Sequence, residues 1–180
     1  MTRVIVTRAD HGAALPELKS WLAISTDRDD ALLTGQIQAA LALFEQFAGV
    51  VPLRQTCEET LGAHRRWQRL SAAPVTEIGD VRALGPDGDR PLLPQQDYTF
   101  TYAPDGAAQV LLRRGLAQDR LLVRYTAGLV PDWPALDPAI RQGVIRLAAH
   151  YYLERASTQD ASPPAAVVAL WRPWRRVQLR

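Results

Sequence analysis

The chain has 180 residues, 47% of them hydrophobic and 22% charged, with a formal net charge of +2. That is enough for one domain with a sizeable core, and no apolar run reaches the roughly 18 to 20 residues needed to span a bilayer. A single cysteine, Cys57, excludes an internal disulfide and fits a reducing cytoplasm, and the opening MTRVIVTRADHG lacks the pattern of a signal peptide.

Helix comes first along the chain. LPELKSWLAI places Leu15, Leu18, Trp21 and Leu22 at spacings of three and four, which predicts a short helix over 15–22 with one apolar stripe. STDRDDALLTGQIQAALALFEQFAGV predicts a long helix over 27–48. Thr26 or Asp27 is its cap, Asp29 and Asp30 favour its dipole, and Leu33, Ile37, Ala40, Leu41, Phe44 and Phe47 form its apolar face before Gly49 ends it. From 53 to 128 the pattern becomes short, partly alternating, β-branched or aromatic runs: LRQTCEETL, HRRWQRL, VTEIGDVRAL, DYTFTY, AQVLLRR and RLLVRYTAGL. Turn sequences GPDGD and APDG lie between them, so this stretch predicts an antiparallel β-hairpin unit. Asp137 and Pro138 then open a third long helix over 137–156, with Ile140, Val144, Leu147 and Tyr151 on one face and Gly143 suited to close packing. STQDASPP is a polar, proline-ended linker within a final segment, 157–180, set apart from the 1–156 body. A short helix to Trp171 follows it, which Pro173 ends or kinks. The predicted fold class is mainly α with inserted β (α+β): a helical bundle carrying the hairpin unit and a C-terminal docking segment.

Sites of chemistry are sparse. The sequence holds no phosphate loop, dinucleotide fingerprint, HExxH or paired CxxC, and His11, His64 and His150 fall in separate elements without metal-ligand spacing. Asp27–Asp30 read as a helix start rather than a calcium loop. Cys57 with His64 is the minimal thiol–base pair and lacks a third group to orient it. Neighbouring Glu58 and Glu59 point to opposite faces of a strand, a poor acid/base pair. No catalytic, cofactor or metal site is therefore assigned, and the chain does not read as an enzyme. HRRWQR interleaves Arg65, Arg66 and Arg69 with Trp67, a composition that also stacks on nucleic acid. It is a candidate subunit- or DNA-facing surface, with a solvated strand face as the plainer reading.

Charge singles out the C-terminus. Residues 163–180 hold Arg172, Arg175, Arg176 and Arg180 and no acid, so removing those four from +2 leaves −2 on the rest. A mildly acidic body argues against a protein built to coat DNA. Four environments compete for PPAAVVALWRPWRRVQLR: a membrane surface, DNA, the chain's own core, or another protein. The apolar part is too short for a membrane-surface helix and more apolar than a DNA arm needs. Trp and Arg are enriched in interface hot spots, and a proline-rich linker suits a reaching element, so docking on another protein is the reading favoured over self-packing. The docking candidates are Val167, Leu170, Trp171, Arg172, Trp174, Arg175 and Arg176.

The order of pieces resembles the head–tail connector (adaptor) proteins of long-tailed phages and of phage-derived gene transfer agents. The resemblance is carried by Leu18, Lys19 and Leu22; Asp29 to Leu33; Gly49; Gln55 and Thr56; Asp97 and Tyr98; Val123 to Gly128; and Pro138 to Arg155, in order over residues 15–156. It implies a dodecameric ring between the portal and the next tail-side component, a stopper or tail terminator, with the C-terminal segment docking on the portal. DNA would pass through the lumen without sequence-specific binding, which suits an acidic body. No cofactor and no membrane is implied. The protein would be cytoplasmic during assembly and then part of the particle at the head–tail junction. The alternative is a small nucleic-acid-binding module using HRRWQR and the basic tail.

Overall fold

Helix caps and burial periodicity explain most elements of the computed structural model, which describes residues 2–7, 10–154 and 163–175. Two compact units emerge: Asp10–Leu53 with Val130–Arg180, and Met1–Ala9 with Arg54–Leu129. This division differs from a 1–156 body and a 157–180 tail, because the last helix belongs to the helical unit.

The helical unit contains α1 (Ala14–Leu22), α2 (Asp30–Ala48), α3 (Pro138–Leu153) and α4 (Ala165–Trp171). Leu33, Ile37, Ala40, Phe44 and Ala48 form the buried stripe of α2, and Gly49 ends it with φ 67°, a left-handed conformation that glycine adopts at little cost. The helix starts later than the sequence predicts. Asp29, not Thr26 or Asp27, stands at its N-cap, and without a side-chain capping bond. Those acids have other partners: Lys19 Nζ donates to Asp27 at 2.6 Å and to Asp30 at 2.7 Å, and the Tyr152 hydroxyl donates to Asp29 at 2.6 Å. In α3 the expected cap is present, since the Ala139 N–H donates to the Asp137 side chain at 2.8 Å and Pro138 takes the first turn. Residues 155–162, where the rest of the predicted third helix and its linker fall, lie outside the described residues. Trp21 is a correction: expected on the apolar stripe, it is 52% exposed. Ala14 and Leu18 define the buried line of α1, and Trp21 sits one position short of its next step.

The β unit contains β1 (Thr2–Thr7), β2 (Gln55–Gly62), β3 (Gln68–Arg69), β4 (Val75–Leu84), β5 (Tyr98–Tyr102), β6 (Ala108–Leu112) and β7 (Arg120–Ala127). They form antiparallel sheets ordered β1-β2-β7-β4 and β3-β6-β5. The predicted series of hairpins is not what forms. Among strands adjacent in sequence only β5–β6 and the N-terminal pair join directly, and APDG turns the first of these, with Gly106 at φ 78°. Instead β2 pairs with β7 across some sixty residues, because the inward residues of β7, Leu121, Val123, Tyr125 and Ala127, are all buried and make it a central strand. β1 was not predicted at all. GPDGD turns β4 back on itself, so that Leu92 bridges Arg82 and the Ala83 N–H donates to the Pro91 carbonyl at 3.0 Å. Helix and strand are close to balance among the described residues, an α+β chain rather than a mainly α one.

Candidate functional site

The C-terminal segment is seated on the helical unit. Val167 and Trp171 lie four apart on α4, and both are fully buried. The Trp171 indole meets Phe44 edge-on at 5.2 Å between centroids and Phe47 at 6.2 Å, and its Nε1 makes a long 3.5 Å contact to the Ile140 carbonyl. Its other wall is the bare backbone of Gly143: a Cβ there would lie 2.7 Å from Cε2 and 2.9 Å from Cδ1 of the ring. Val167 and Trp171 are two of the seven predicted docking candidates, and their burial in the chain's own helical unit corrects the expectation for these two. A two-turn apolar helix removes more surface from water by folding back, so in this arrangement neither side chain has surface to offer a partner. Of the other docking candidates, Arg172 and Arg175 are exposed, and Leu170 and Trp174 are half-buried. The Arg175 guanidinium lies 5.7 Å from the Phe47 ring centroid. Arg176 lies outside the described residues.

HRRWQR is a second basic–aromatic surface, with a geometry the sequence did not predict. Only Gln68 and Arg69 are extended, so the predicted strand over HRRWQRL does not form along its length, and residues 64–67 form an exposed knuckle with Trp67 48% exposed. The knuckle is tied at its base: the Gln68 amide donates to the Gly62 carbonyl at 2.7 Å and accepts from the Gly62 N–H at 3.1 Å. Arg69 pairs with Asp105, leaving Arg65, Arg66 and Trp67 outward.

The thiol–base reading has no geometric support. Cys57 is fully buried, whereas His64 is exposed and lies beyond the end of β2, with about 16 Å of extended strand between Cys57 and Gly62. Sequence reasoning missed a buried polar cluster beside it. Glu59 is fully buried, and its Oε2 accepts from the Tyr125 hydroxyl at 2.7 Å, the Ser71 hydroxyl at 2.9 Å and the Ser71 N–H at 3.0 Å. Burial, and then donation to Glu59, pushes the Tyr125 phenol far above its ordinary value of 10. A raised folded-state value means stability that is complete below the unfolded pKa and is lost as pH rises beyond it. Tyr125→Phe should therefore cost about 1–3 kcal/mol at pH 9, because it removes a buried hydrogen bond and takes a donor from the Glu59 carboxyl. The gap should narrow by about 1.4 kcal/mol per pH unit above pH 10, read from urea midpoints of both proteins. A constant gap between pH 9 and 11 would refute the assignment.

No group of three metal-capable side chains occurs among the described residues, and none of the described helices is long and apolar enough to cross a membrane. The Asp27–Asp30 run is accounted for by Lys19 and Tyr152.

No protein-family model matches the chain, and no curated protein does. Solved structures do. The chain is similar to one in the neck of an empty GTA particle computed with C6 symmetry, at 26% identity and TM-score 0.80, covering 100% of this chain and 98% of that one. It is similar to one in the virion of a native gene transfer agent (GTA) particle, at 27% identity and TM-score 0.75, and to one in the neck of a native GTA particle computed with C12 symmetry, at 28% and 0.76. Coverage is 100% and 98% in both. The resemblance to head–tail connectors, carried in the sequence by residues 15–156, thus holds over the whole chain.

Proposed function

We propose that the protein is a structural head–tail adaptor of a phage-like particle. It assembles as a ring that joins the portal to the next tail-side component, a stopper or tail terminator, and surrounds the DNA channel. The observation that carries this reading is the end-to-end likeness to neck chains of gene transfer agent particles, whose C6 and C12 symmetries are those of rings. The protein works by its surfaces and takes no cofactor. It is made in the cytoplasm and ends at the head–tail junction.

In this reading the portal contact belongs to the outward part of the tail: Arg172, Trp174 and Arg175, with Leu170 at the edge. Val167 and Trp171 fix the position of that surface. The Arg65, Arg66 and Trp67 knuckle is the candidate subunit- or DNA-facing surface, and its arginines would give duplex binding that weakens steeply with salt. The docking test avoids removing 163–180, because that deletion also strips two core side chains. The triple variant Arg172→Glu/Trp174→Ala/Arg175→Glu should stay folded, with a melting temperature lowered by no more than about 5 °C for the loss of the Arg175–Phe47 contact and part of the Trp174 packing. Hot-spot residues contribute about 2 kcal/mol or more each, so portal binding should fall by roughly two orders of magnitude or more. Electron microscopy of the protein mixed with its portal reads the outcome directly. Undiminished binding by the triple variant would remove the tail from the portal contact.

A further inference from the structure

A ring of identical copies needs two different, mutually complementary surfaces on each copy, because its contacts are heterologous. The ring is the reading proposed above, and this inference rests on it. Two features of the chain fit the requirement, one in each compact unit.

The first is a groove of about 580 Å³ between α1 and α3, whose walls include Glu17, Trp21, Arg141 and Ile145. Trp21 presents 52% of its surface to solvent, an unusual exposure for the residue type most enriched in interface hot spots. The Arg146 guanidinium lies 5.6 Å from its ring centroid, and Arg141 stands 3.7 Å from Glu17 on the same rim. The groove therefore offers an aromatic floor bordered by two cations and one anion.

The second is the tip that follows β4, residues 85–92. It is held in shape by its own backbone, since the Gly85 N–H donates to the Asp89 carbonyl at 2.9 Å and the Leu93 N–H to the Val81 carbonyl at 2.8 Å. From this preformed hairpin Asp87, Asp89 and Arg90 project exposed, and Leu92 is 58% exposed. The tip carries two anions, one cation and one unburied aliphatic side chain, the inverse of the groove's charges beside a side chain of a size to cover Trp21. The tip's shape is braced by its own backbone hydrogen bonds and the groove lies between two helices, so joining them costs little conformational entropy.

We infer that the Trp21 groove of one copy receives the 85–92 tip of the next copy, with Leu92 on Trp21, Asp87 and Asp89 facing Arg141 and Arg146, and Arg90 facing Glu17. This contact sets the neighbour-to-neighbour direction around the ring.

The test is a charge exchange between two variants of the full-length protein. One carries Arg141→Glu/Arg146→Glu and the other Asp87→Lys/Asp89→Lys, all exposed or rim positions outside the core. Each variant alone sets like charges against each other at every contact. The concentration for half-assembly, read by sedimentation in the presence of the portal, should therefore rise at least about tenfold. Mixed one to one, each acidic tip finds a basic groove and each basic tip an acidic one. Assembly should return to within about threefold of wild type, in rings that alternate the two chains. Either variant assembling alone like wild type overturns the contact, and so does a mixture that fails while wild type succeeds. Wild type that forms no ring under any condition overturns instead the ring reading itself.

Discussion

Gly143→Ala is expected to destabilise the chain by about 3 kcal/mol, the upper end of the range for overpacking a core. It is expected to lose that effect, or to reverse it, once Trp171 is alanine. The added methyl would meet Cδ1 and Cε2 of the indole inside 3 Å, closer than carbon atoms approach, and closer still to Nε1. The ring cannot slide away, because Phe44 stands edge-on against it and Phe47 flanks it. The indole must leave its seat, or α3 and α4 must part. Trp171→Ala alone should cost about 3–5 kcal/mol, as large aromatic truncations do. In that background the space opposite residue 143 is open, and alanine is the better helix former by about 1 kcal/mol, so the second substitution becomes neutral or stabilising. Urea unfolding of the four proteins of this cycle gives the coupling directly. Equal costs of Gly143→Ala in both backgrounds would mean that something other than the indole demands the glycine.

The same pair marks how far sequence reading reaches. The helices were legible because their evidence is local: Asp137–Pro138 opens α3, Gly49 closes α2, and Leu33, Ile37, Ala40 and Phe44 repeat at helical spacing. Gly143 was legible as a close-packing position, but its partner lies 28 residues away on a segment whose composition equally suited docking on another protein. An apolar face records that something covers it and not what does, so Val167 and Trp171 were assigned to a partner when their own unit takes them. In the β unit the strands were visible from alternation, while their pairing was not. β2 and β7 are joined by matching buried faces, a long-range agreement that no short window contains. β1 escaped despite its Val4-Ile5-Val6 run, because a single strand ahead of a helix has no neighbouring turn or partner run to announce it. The whole-chain order of motifs proved more informative than any one of them: Gln55–Thr56 opens β2, and Val123–Gly128 runs from the middle of β7 past its end, the two paired central strands of the larger sheet.

Glu59→Ala should be among the most damaging substitutions in the β unit, at about 3–5 kcal/mol, and Glu59→Gln should cost no more than about 2 kcal/mol. The carboxyl is a hub: one oxygen accepts from the Tyr125 hydroxyl and from both the hydroxyl and the N–H of Ser71. Alanine leaves those donors without their acceptor, in a place where each unsatisfied group costs about 1–3 kcal/mol. Glutamine keeps an oxygen for them. Its amide nitrogen takes the position of Oε1, an atom with no hydrogen bond among the described residues, so the exchange removes no bond there. Denaturant unfolding separates the two variants, and hydrogen exchange at the Ser71 amide should rise in Glu59→Ala far more than in Glu59→Gln. Equal losses in both would mean that the fit of the side chain, and not its acceptor, holds the cluster. The cluster clasps β2, β7 and the 70–72 segment, which leads directly from the Arg65–Trp67 knuckle into β4. Loosening it should therefore free the knuckle's exit from the sheet. Altered ring assembly by Glu59→Ala, beside near-normal assembly by Glu59→Gln, would tie this buried carboxyl to the particle's assembly as well as to the fold.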